Sequence, residues 1–232
     1  SRYRLVEADH AQLATVLAEV LATAPVPADV PALDAVLFDL GPSTPQLLDP
    51  ARGMSWESDL ALDMRLRQAG TGPTAGEIVS AWPEEDLARL FYENADERWA
   101  RRIARRIVQA RGRGPIRTGR ELGRIVADAV PRKAWPPKIH PATRVFLALR
   151  IAVNDEYHKL EQALPAAFEL LKTGGRLAVI SFHSGEDRRV KEFMRRMTTA
   201  PTAPWPLPQR GMAWAPAPAR SLPRKPLMAG PE

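Results

Sequence analysis

The chain has 232 residues, and its 45% hydrophobic content is enough for a folded core in one large domain or in a domain that carries a smaller second one. It contains no cysteine, which excludes disulfides and thiolate metal sites, and no apolar run approaches the length of a membrane span. The net charge of +6 indicates a polyanionic partner only if the basic residues are clustered.

The N-terminal part of the chain has the pattern of an α/β protein. We expect a short strand over 3–9 and a helix over 10–22, whose apolar residues fall on one face. A Pro-rich linker then leads to a second strand over 34–40. This strand is a continuous apolar run, and it ends at a carboxylate.

A second helix–strand unit follows much later in the chain. An amphipathic helix is predicted over about 155–172, with Gly174 and Gly175 as its stop and an apolar strand over 176–182. Strands without polar alternation, each preceded by a helix, are typical of a parallel sheet that is covered on both faces. We therefore expect an α/β fold.

The stretch over 55–150, between these two units, is predicted to be helical. Within it, "NADERWARRIARRIVQARGRG" predicts a helix with Asn94 or Asp96 as N-cap, acids in its first turn and Gly112 as its stop. The next helix should begin with a capping box, in which Thr118 and Glu121 bond to each other's backbone amides.

The chain after about residue 198 is too rich in proline for regular structure, and we expect it to be extended. Trp205 and Trp214 in this tail could stack on RNA or dock on the protein itself.

Polar residues follow both apolar strands at their carboxyl ends. Asp39 ends the first strand, and "SFHSGED" (181–187) ends the second. Ligands of open parallel sheets bind outside the carboxyl ends of the strands. If the two strands are neighbours, the side chains that open onto one crevice are those of Asp39, Ser43, His183 and Ser184. The alternative for Asp39 is a structural role, in which it caps the turn that follows.

Five blocks of the sequence occur in the order and at the separations found in one known family. They are "LFDLGPSTPQLLDPARGMSW", "LDMR" (62–65), "ERWARRIARRIVQAR", "HPATRVFLALRIAVNDE" (140–156) and "GGRLAVISFHSGEDRRVKEF" (174–193). Together they resemble the RsmH/MraW family of S-adenosylmethionine-dependent methyltransferases, which act on the exocyclic N4 of a cytosine in small-subunit rRNA.

The resemblance implies a class I, Rossmann-like methyltransferase sheet domain that is interrupted by a helical insertion domain. The methyltransferase part is expected over 1–54 and 151–200, the insertion over 55–150, and a Pro-rich tail over 201–232.

The resemblance also implies S-adenosylmethionine as cofactor, with contacts at Asp39, Gln46 and His10. The family usually has Phe where this chain has His10, which could lie against the adenine or merely start a helix. The chain also departs from the family at Pro42, Leu48, Leu147 and Gly185.

Family members begin with a strand, a Gly-rich loop and a helix that hold the methionine end of the cofactor. The Gly-rich stretch "GTGPTAG" (70–76) follows no predicted strand and contains proline, so it is not such a cradle. The family's basic C-terminal tail is not recognisable either. We expect the chain to be an internal piece of a longer enzyme.

Methyl transfer to the amino nitrogen of cytosine needs acceptors for its N–H groups as positive charge develops. The candidates are Asp39, Ser43 and Asn154. His183 could take the proton, because its pKa is the nearest to neutrality; the alternative is a neutral ring that bonds to the backbone. We predict no metal site, since the four histidines lack ligand spacing and no acidic cluster accompanies them.

The stretch over 98–138 contains thirteen Lys or Arg residues and two acids. A solvated helix face normally alternates both signs of charge, so this bias favours phosphate binding. The predicted RNA-binding residues are Arg101, Arg102, Arg105, Arg106, Arg111 and Arg113. The expected partner is small-subunit rRNA or the assembled small ribosomal subunit, with no membrane partner.

Two other classes of function compete with a cytosine N4-methyltransferase. One is a non-catalytic RNA- or ribosome-binding relative, which the substitutions at His10, Leu147 and Gly185 favour. The other, a nucleotide-dependent oxidoreductase, needs a Gly-rich fingerprint after its first strand, and the chain has none. We expect the bacterial cytoplasm as the compartment, with a mitochondrion or plastid as the alternative.

Overall fold

The computed structural model describes residues 5–21, 33–67, 72–199 and 217–221. It is a mixed α/β structure with a small parallel sheet and many helices. The elements are α1 (Leu13–Leu21), β1 (Leu33–Asp39), α2 (Thr44–Leu48), α3 (Ala75–Ala81), α4 (Glu84–Ala95), α5 (Ala100–Arg111), α6 (Gly119–Ala129), α7 (Thr143–Asn154), α8 (Glu156–Glu169), β2 (Leu171–Ile180) and α9 (Ser184–Thr198). None of the helices among the described residues is long and apolar enough to cross a membrane.

The chain divides into two compact units. The first, here called the sheet unit, is formed by Ser1–Asp39 and Glu161–Glu232. The second, the helical unit, is the continuous stretch Leu40–Leu160. Two of the sequence predictions, Trp205 and Trp214, lie outside the described residues.

The sheet unit contains the parallel pair β1 and β2, as the sequence predicted. Val36 lies opposite Leu177, and Asp39 lies opposite Ile180. The predicted start of the second strand at 176 is where this regular register begins. The structure extends β2 back to Leu171 through an irregularity that contains Gly174, whose φ of 85° favours glycine. Helix α8 already ends at Glu169, so Gly174 and Gly175 lie within β2 and do not form the predicted stop of the helix.

The expectation of a sheet covered on both faces is wrong for these two strands. Phe38 is buried, but Leu37 is 65% and Ile180 47% exposed. In the described part of the chain the sheet has only two strands. So small a sheet has little surface on which other elements can pack.

The predicted strand over 3–9 is also not found in its described part. Residues 5–9 form no strand, and Leu5 is 88% exposed. A strand is stable only when a neighbour completes its hydrogen bonds, and no described segment pairs with this one. The helix that follows is confirmed: Asp9 Oδ1 accepts from Ala11 N at 3.0 Å, and a 3₁₀ turn over His10–Gln12 leads into α1.

The helical unit has its own apolar core, in which α4 packs against α5 and α7. Its buried side chains recur at helical spacing, as the 3.6-residue period requires. Fully buried examples are Leu87, Phe91, Ile103, Ile107, Leu122, Val126, Val145 and Leu149.

The predicted N-cap of α5 is wrong. Asn94 lies inside α4, and Asp96 ends that helix in the left-handed conformation with φ of 49°. The apolar spacing of α4, with Leu87, Leu90 and Phe91 buried, carries the helix past the expected boundary. Helix α5 begins only at Ala100 and has no acid in its first turn.

Two other predicted helix boundaries, the end of α5 and the start of α6, are confirmed. Gly112 is the C-cap of α5. Thr118 Oγ1 accepts from Glu121 N at 3.2 Å, and Glu121 Oε2 accepts from Thr118 N at 3.2 Å, which is the predicted capping box of α6. These signals are local, which is why the sequence sufficed.

Candidate functional site

Asp39 and His183 lie just at or beyond the carboxyl ends of the two paired strands. Asp39 is the last residue of β1, exposed, and opposite Ile180 in the parallel register. His183 follows Ile180 by three residues and directly precedes α9. The predicted adjacency of the two strands is therefore confirmed, and it places both residues on one side of the sheet unit.

His183 is accompanied by a buried carboxylate that the sequence analysis did not single out. Glu186 is 3% exposed, and its Oε1 lies 3.3 Å from His183 Nε2. Its Oε2 accepts from Phe182 N at 3.0 Å, which ties the strand end to α9. A carboxylate in the first turn of a helix is favoured by the helix dipole. The sequence signal that could have revealed this pair is the spacing: Glu186 follows His183 by three residues at the start of a helix.

His10 lies in the same unit, next to the strand that carries Asp39. Its ring packs edge-on against Phe38, with the centroids 6.3 Å apart and the planes at 73°. Asp9 Oδ1 lies 3.8 Å from His10 Nδ1. The structure thus places His10 against Phe38, the residue that precedes Asp39 in β1.

Ser43 and Gln46 lie in the helical unit, and they bond to each other. Gln46 Oε1 accepts from Ser43 N at 2.9 Å and from Ser43 Oγ at 3.2 Å. These bonds begin α2, so both side chains have a structural task besides the predicted contact with the cofactor.

Asn154 holds a loop. Its Nδ2 donates to Met64 O at 2.9 Å and to Arg150 O at 2.8 Å, and its Oδ1 accepts from Leu66 N at 2.8 Å. Both ends of the amide are therefore used by the backbone. This arrangement does not support the predicted catalytic contact and indicates a positioning role.

The loop held by Asn154 has an unusual backbone. Met64 is fully buried and has a φ of 61°, which non-glycine residues seldom adopt. Asp63 forms an ion pair with Arg65 at 2.8 Å, and the hydrogen bond from that guanidinium holds the pKa of Asp63 below its ordinary value. Arg52 also donates to Arg65 O, at 3.1 Å. In the sequence, this loop is recognisable only through the family motif LDMR (62–65).

The predicted RNA-binding arginines form an exposed row on α5, here called the arginine face: Arg101, Arg102, Arg105 and Arg106. Of these, only Arg105 lies near an acid among the described residues, 3.4 Å from Glu84. Arg101 and Arg102 occupy the first turn of α5, where the helix dipole disfavours cations and no acid compensates. A phosphate ligand would remove this unfavourable arrangement.

The other two predicted arginines differ from each other. Arg111 is half-buried, and its Nη1 donates to Val79 O at 2.8 Å, so it binds α3 to α5. This contact gives Arg111 a structural task and weakens its prediction as an RNA ligand. Arg113 lies beyond the end of α5 and is exposed.

Comparisons with known proteins give the same family over the whole chain. Residues 1–232 match the model of the MraW methylase family. The chain is 45% identical over 208 residues to the ribosomal RNA small subunit methyltransferase H of Geotalea uraniireducens, which covers 90% of this chain and 64% of that protein. It is 52% identical over 167 residues to the protein of the same name from Syntrophotalea carbinolica, covering 72% of this chain and 53% of that one. It is 44% identical over 229 residues to the protein of the same name from Geobacter sulfurreducens, and this match covers 99% of this chain and 70% of that protein. The chain thus spans 53% to 70% of the length of these relatives.

Proposed function

Since the chain belongs to the MraW methylase family, we propose that it methylates the exocyclic N4 of a cytidine in small-subunit rRNA, with S-adenosylmethionine as the methyl donor. The observation that carries this proposal is the family match over residues 1–232, together with relatives named for methylation of small-subunit rRNA. The position of Asp39 at the end of β1, and of His183 three residues beyond the end of the neighbouring β2, supports it. Since these relatives are bacterial, we place the activity in the bacterial cytoplasm.

The proposed architecture is a Rossmann-like methyltransferase domain over 1–54 and 151–200, a helical insertion over 55–150 and a tail over 201–232. In the sequence, β1 precedes the continuous helical unit and β2 follows it. The parallel pairing of these two strands supports this arrangement. Two parallel strands need a crossover connection, and in this chain the connection between β1 and β2 includes the whole helical unit.

The sheet unit offers groups that fit one end of S-adenosylmethionine. An exposed carboxylate at a strand end lies where parallel sheets bind ligands, and the ring of His10 lies beside the same strand. We propose Asp39, His10 and Gln46 as the residues that contact the cofactor. When bound, the cofactor supplies an electrophilic methyl group on a sulfonium.

The cytosine amino nitrogen is a weak nucleophile because its lone pair is delocalised into the ring. We assign to Asp39 the acceptor bond to its N–H, since an ionised carboxylate can only accept. His183 takes the proton that the nitrogen loses. Glu186, 3.3 Å from Nε2, orients the imidazole. Ser43 and Asn154 act through the segments that they hold.

The arginine face would bind the rRNA backbone, either in free rRNA or in the assembled small subunit. Guanidinium groups suit phosphate because they are planar, always charged and rich in donors. Contacts of this kind fix the position of the RNA but carry no sequence information.

The test is methyl transfer to small ribosomal subunits by the full-length protein and its Asp39→Asn variant. We expect the variant to fold normally and to lose at least about tenfold in rate, because one acceptor in the transition state is replaced by an amide. The matched control is Asp34→Asn, which changes an exposed carboxylate of the same strand that bonds to Lys172. Equal rates for both variants would remove Asp39 from the site, and a wild-type protein without activity would refute the proposed function.

A further inference from the structure

A cavity of about 270 Å³ lies in the helical unit, apart from every residue assigned to the chemistry above. It forms between the α4–α5 connection and the α6–α7 connection. Five of the residues that line it carry the inference: Glu97, Arg98, Trp99, His140 and Arg144. Its volume is just below the about 300–1,000 Å³ of pockets for drug-sized molecules, so a single flat group of nucleotide size suits it.

The first argument is a buried carboxylate in the cavity wall. Glu97 is 5% exposed, and its side chain accepts one hydrogen bond, from Trp99 N to Oε1 at 2.8 Å. No cationic group of the described residues pairs with it. A carboxylate has about four acceptor positions, and among the described residues only Trp99 N donates to this one. The cavity therefore suits a ligand that presents N–H donors.

The second argument is the flat, rigid ring of His140. It stacks on Trp56 with centroids 4.2 Å apart and planes at 14°, and it meets Trp135 edge-on at 5.9 Å. Its Nδ1 accepts from Ala142 N at 3.2 Å, which fixes the orientation of the ring. Burial lowers the pKa of His140, so the ring is neutral near pH 7. A fixed neutral ring is a surface on which a nucleobase can stack.

The third argument is the position of the cations. Arg98 and Arg144 line the cavity and are exposed, and Arg144 Nη1 donates to Asp96 O at 3.0 Å. Arg98 stands three residues before Arg101, in the turn that leads into α5. An RNA strand along that face would bring its phosphates to the rim.

We propose that this cavity binds one unpaired nucleotide of RNA at a distance from the base that is methylated. The base donates N–H groups to Glu97 and lies against His140 or Trp99, and its phosphate lies between Arg98 and Arg144. Bases with an amino group fit better than uracil, which offers one N–H. The inference relies on the proposed function only for the assumption that the substrate is RNA.

The experiment uses histidine-labelled intact protein and two unpaired hexanucleotides, oligo-C and oligo-U. The imidazole signals of His140 should shift saturably with oligo-C, whereas those of the exposed His158 on α8 should stay in place. Because the readout is local to the cavity, binding of cytidine at the methylation site does not imitate it. The same titrations, followed at His140, should show about 2- to 12-fold tighter binding of oligo-C, the effect of one additional hydrogen bond of about 0.5–1.5 kcal/mol.

Two variants with matched controls test the roles of the residues. Glu97→Gln keeps an acceptor for Trp99 N, and it should abolish the preference for oligo-C; Glu93→Gln, an exposed acid of α4, should not. Arg98→Gln should weaken both RNAs equally and lower the salt slope by about 0.7, the value for one phosphate contact of a single strand. The control for Arg98→Gln is Arg89→Gln, which changes an exposed arginine on α4 outside the cavity.

Unmoved His140 signals at saturating RNA, or a preference for oligo-C that survives Glu97→Gln, would overturn the proposal. If Glu97→Gln fails to fold, Arg98→Gln decides, because its side chain is exposed: unchanged affinity and slope would equally overturn it. None of these measurements reads methyl transfer. A protein that binds RNA in this cavity but transfers no methyl group would therefore refute the proposed function and leave this inference standing.

Discussion

Replacing Asn154 by alanine should loosen one loop without removing a group from the reacting atoms. The substitution deletes three hydrogen bonds, to Met64 O, Arg150 O and Leu66 N. Each such bond contributes about 0.5–1.5 kcal/mol net, and the lower half applies because the side chain is only half-buried. We therefore expect a loss of about 2 kcal/mol in unfolding free energy, or about a 30-fold change in equilibrium constant.

Urea unfolding and amide hydrogen exchange together measure this effect. The exchange of the Leu66 amide should accelerate by up to about 30-fold if the loop opens by itself. Gln109→Ala, on the exposed side of α5, is the control and should change neither quantity. A variant of unchanged stability and exchange that loses methyl transfer would refute the positioning role and restore Asn154 as a catalytic residue.

Two further predictions concern charge. Replacing the four arginines of the arginine face with Gln should leave the free energy of unfolding nearly unchanged, because exposed ion pairs contribute little. The salt slope of rRNA binding should fall by up to about 3. Parallel slopes with equal affinity would show that the arginine face does not bind RNA. The pKa of Asp63 is lowered from 3.8 by Arg65, so its stabilising effect is complete above that value and is lost as pH falls through the lower folded pKa. Asp63→Asn should thus be less stable than wild type at pH 7, with a difference that shrinks below about pH 4 in urea titrations; a gap that widens in acid would contradict this sign.

Sequence reasoning succeeded where the determining contacts are local or periodic. The capping box of Thr118 and Glu121 spans three residues, so a short stretch of sequence contains both partners. The strand ending at Asp39 and the strand after α8 could be paired because continuous apolar runs indicate parallel neighbours.

It failed where the partner is distant or where two local signals compete. Asn154 bonds to a loop 88 to 90 residues earlier, and no spacing rule reveals such a contact. Asp96 has the chemistry of an N-cap, yet it ends α4 because that helix gains more from continuing its apolar face. Glu97 was expected among the acids of the first turn of α5, and only the fold shows that it precedes that helix and is buried.

The order in which the chain is synthesised has a consequence for β1. Asp34 and Lys172 bond across 138 residues, so the first strand leaves the ribosome long before the second exists. At about 5–20 residues per second, β1 waits on the order of ten seconds before β2 is available to pair with it. The helical unit is continuous and can fold during that time, which shortens the loop that the strands must close. Asp34 and Asp39 bracket the apolar run of β1, and charges in these positions oppose aggregation of a waiting strand.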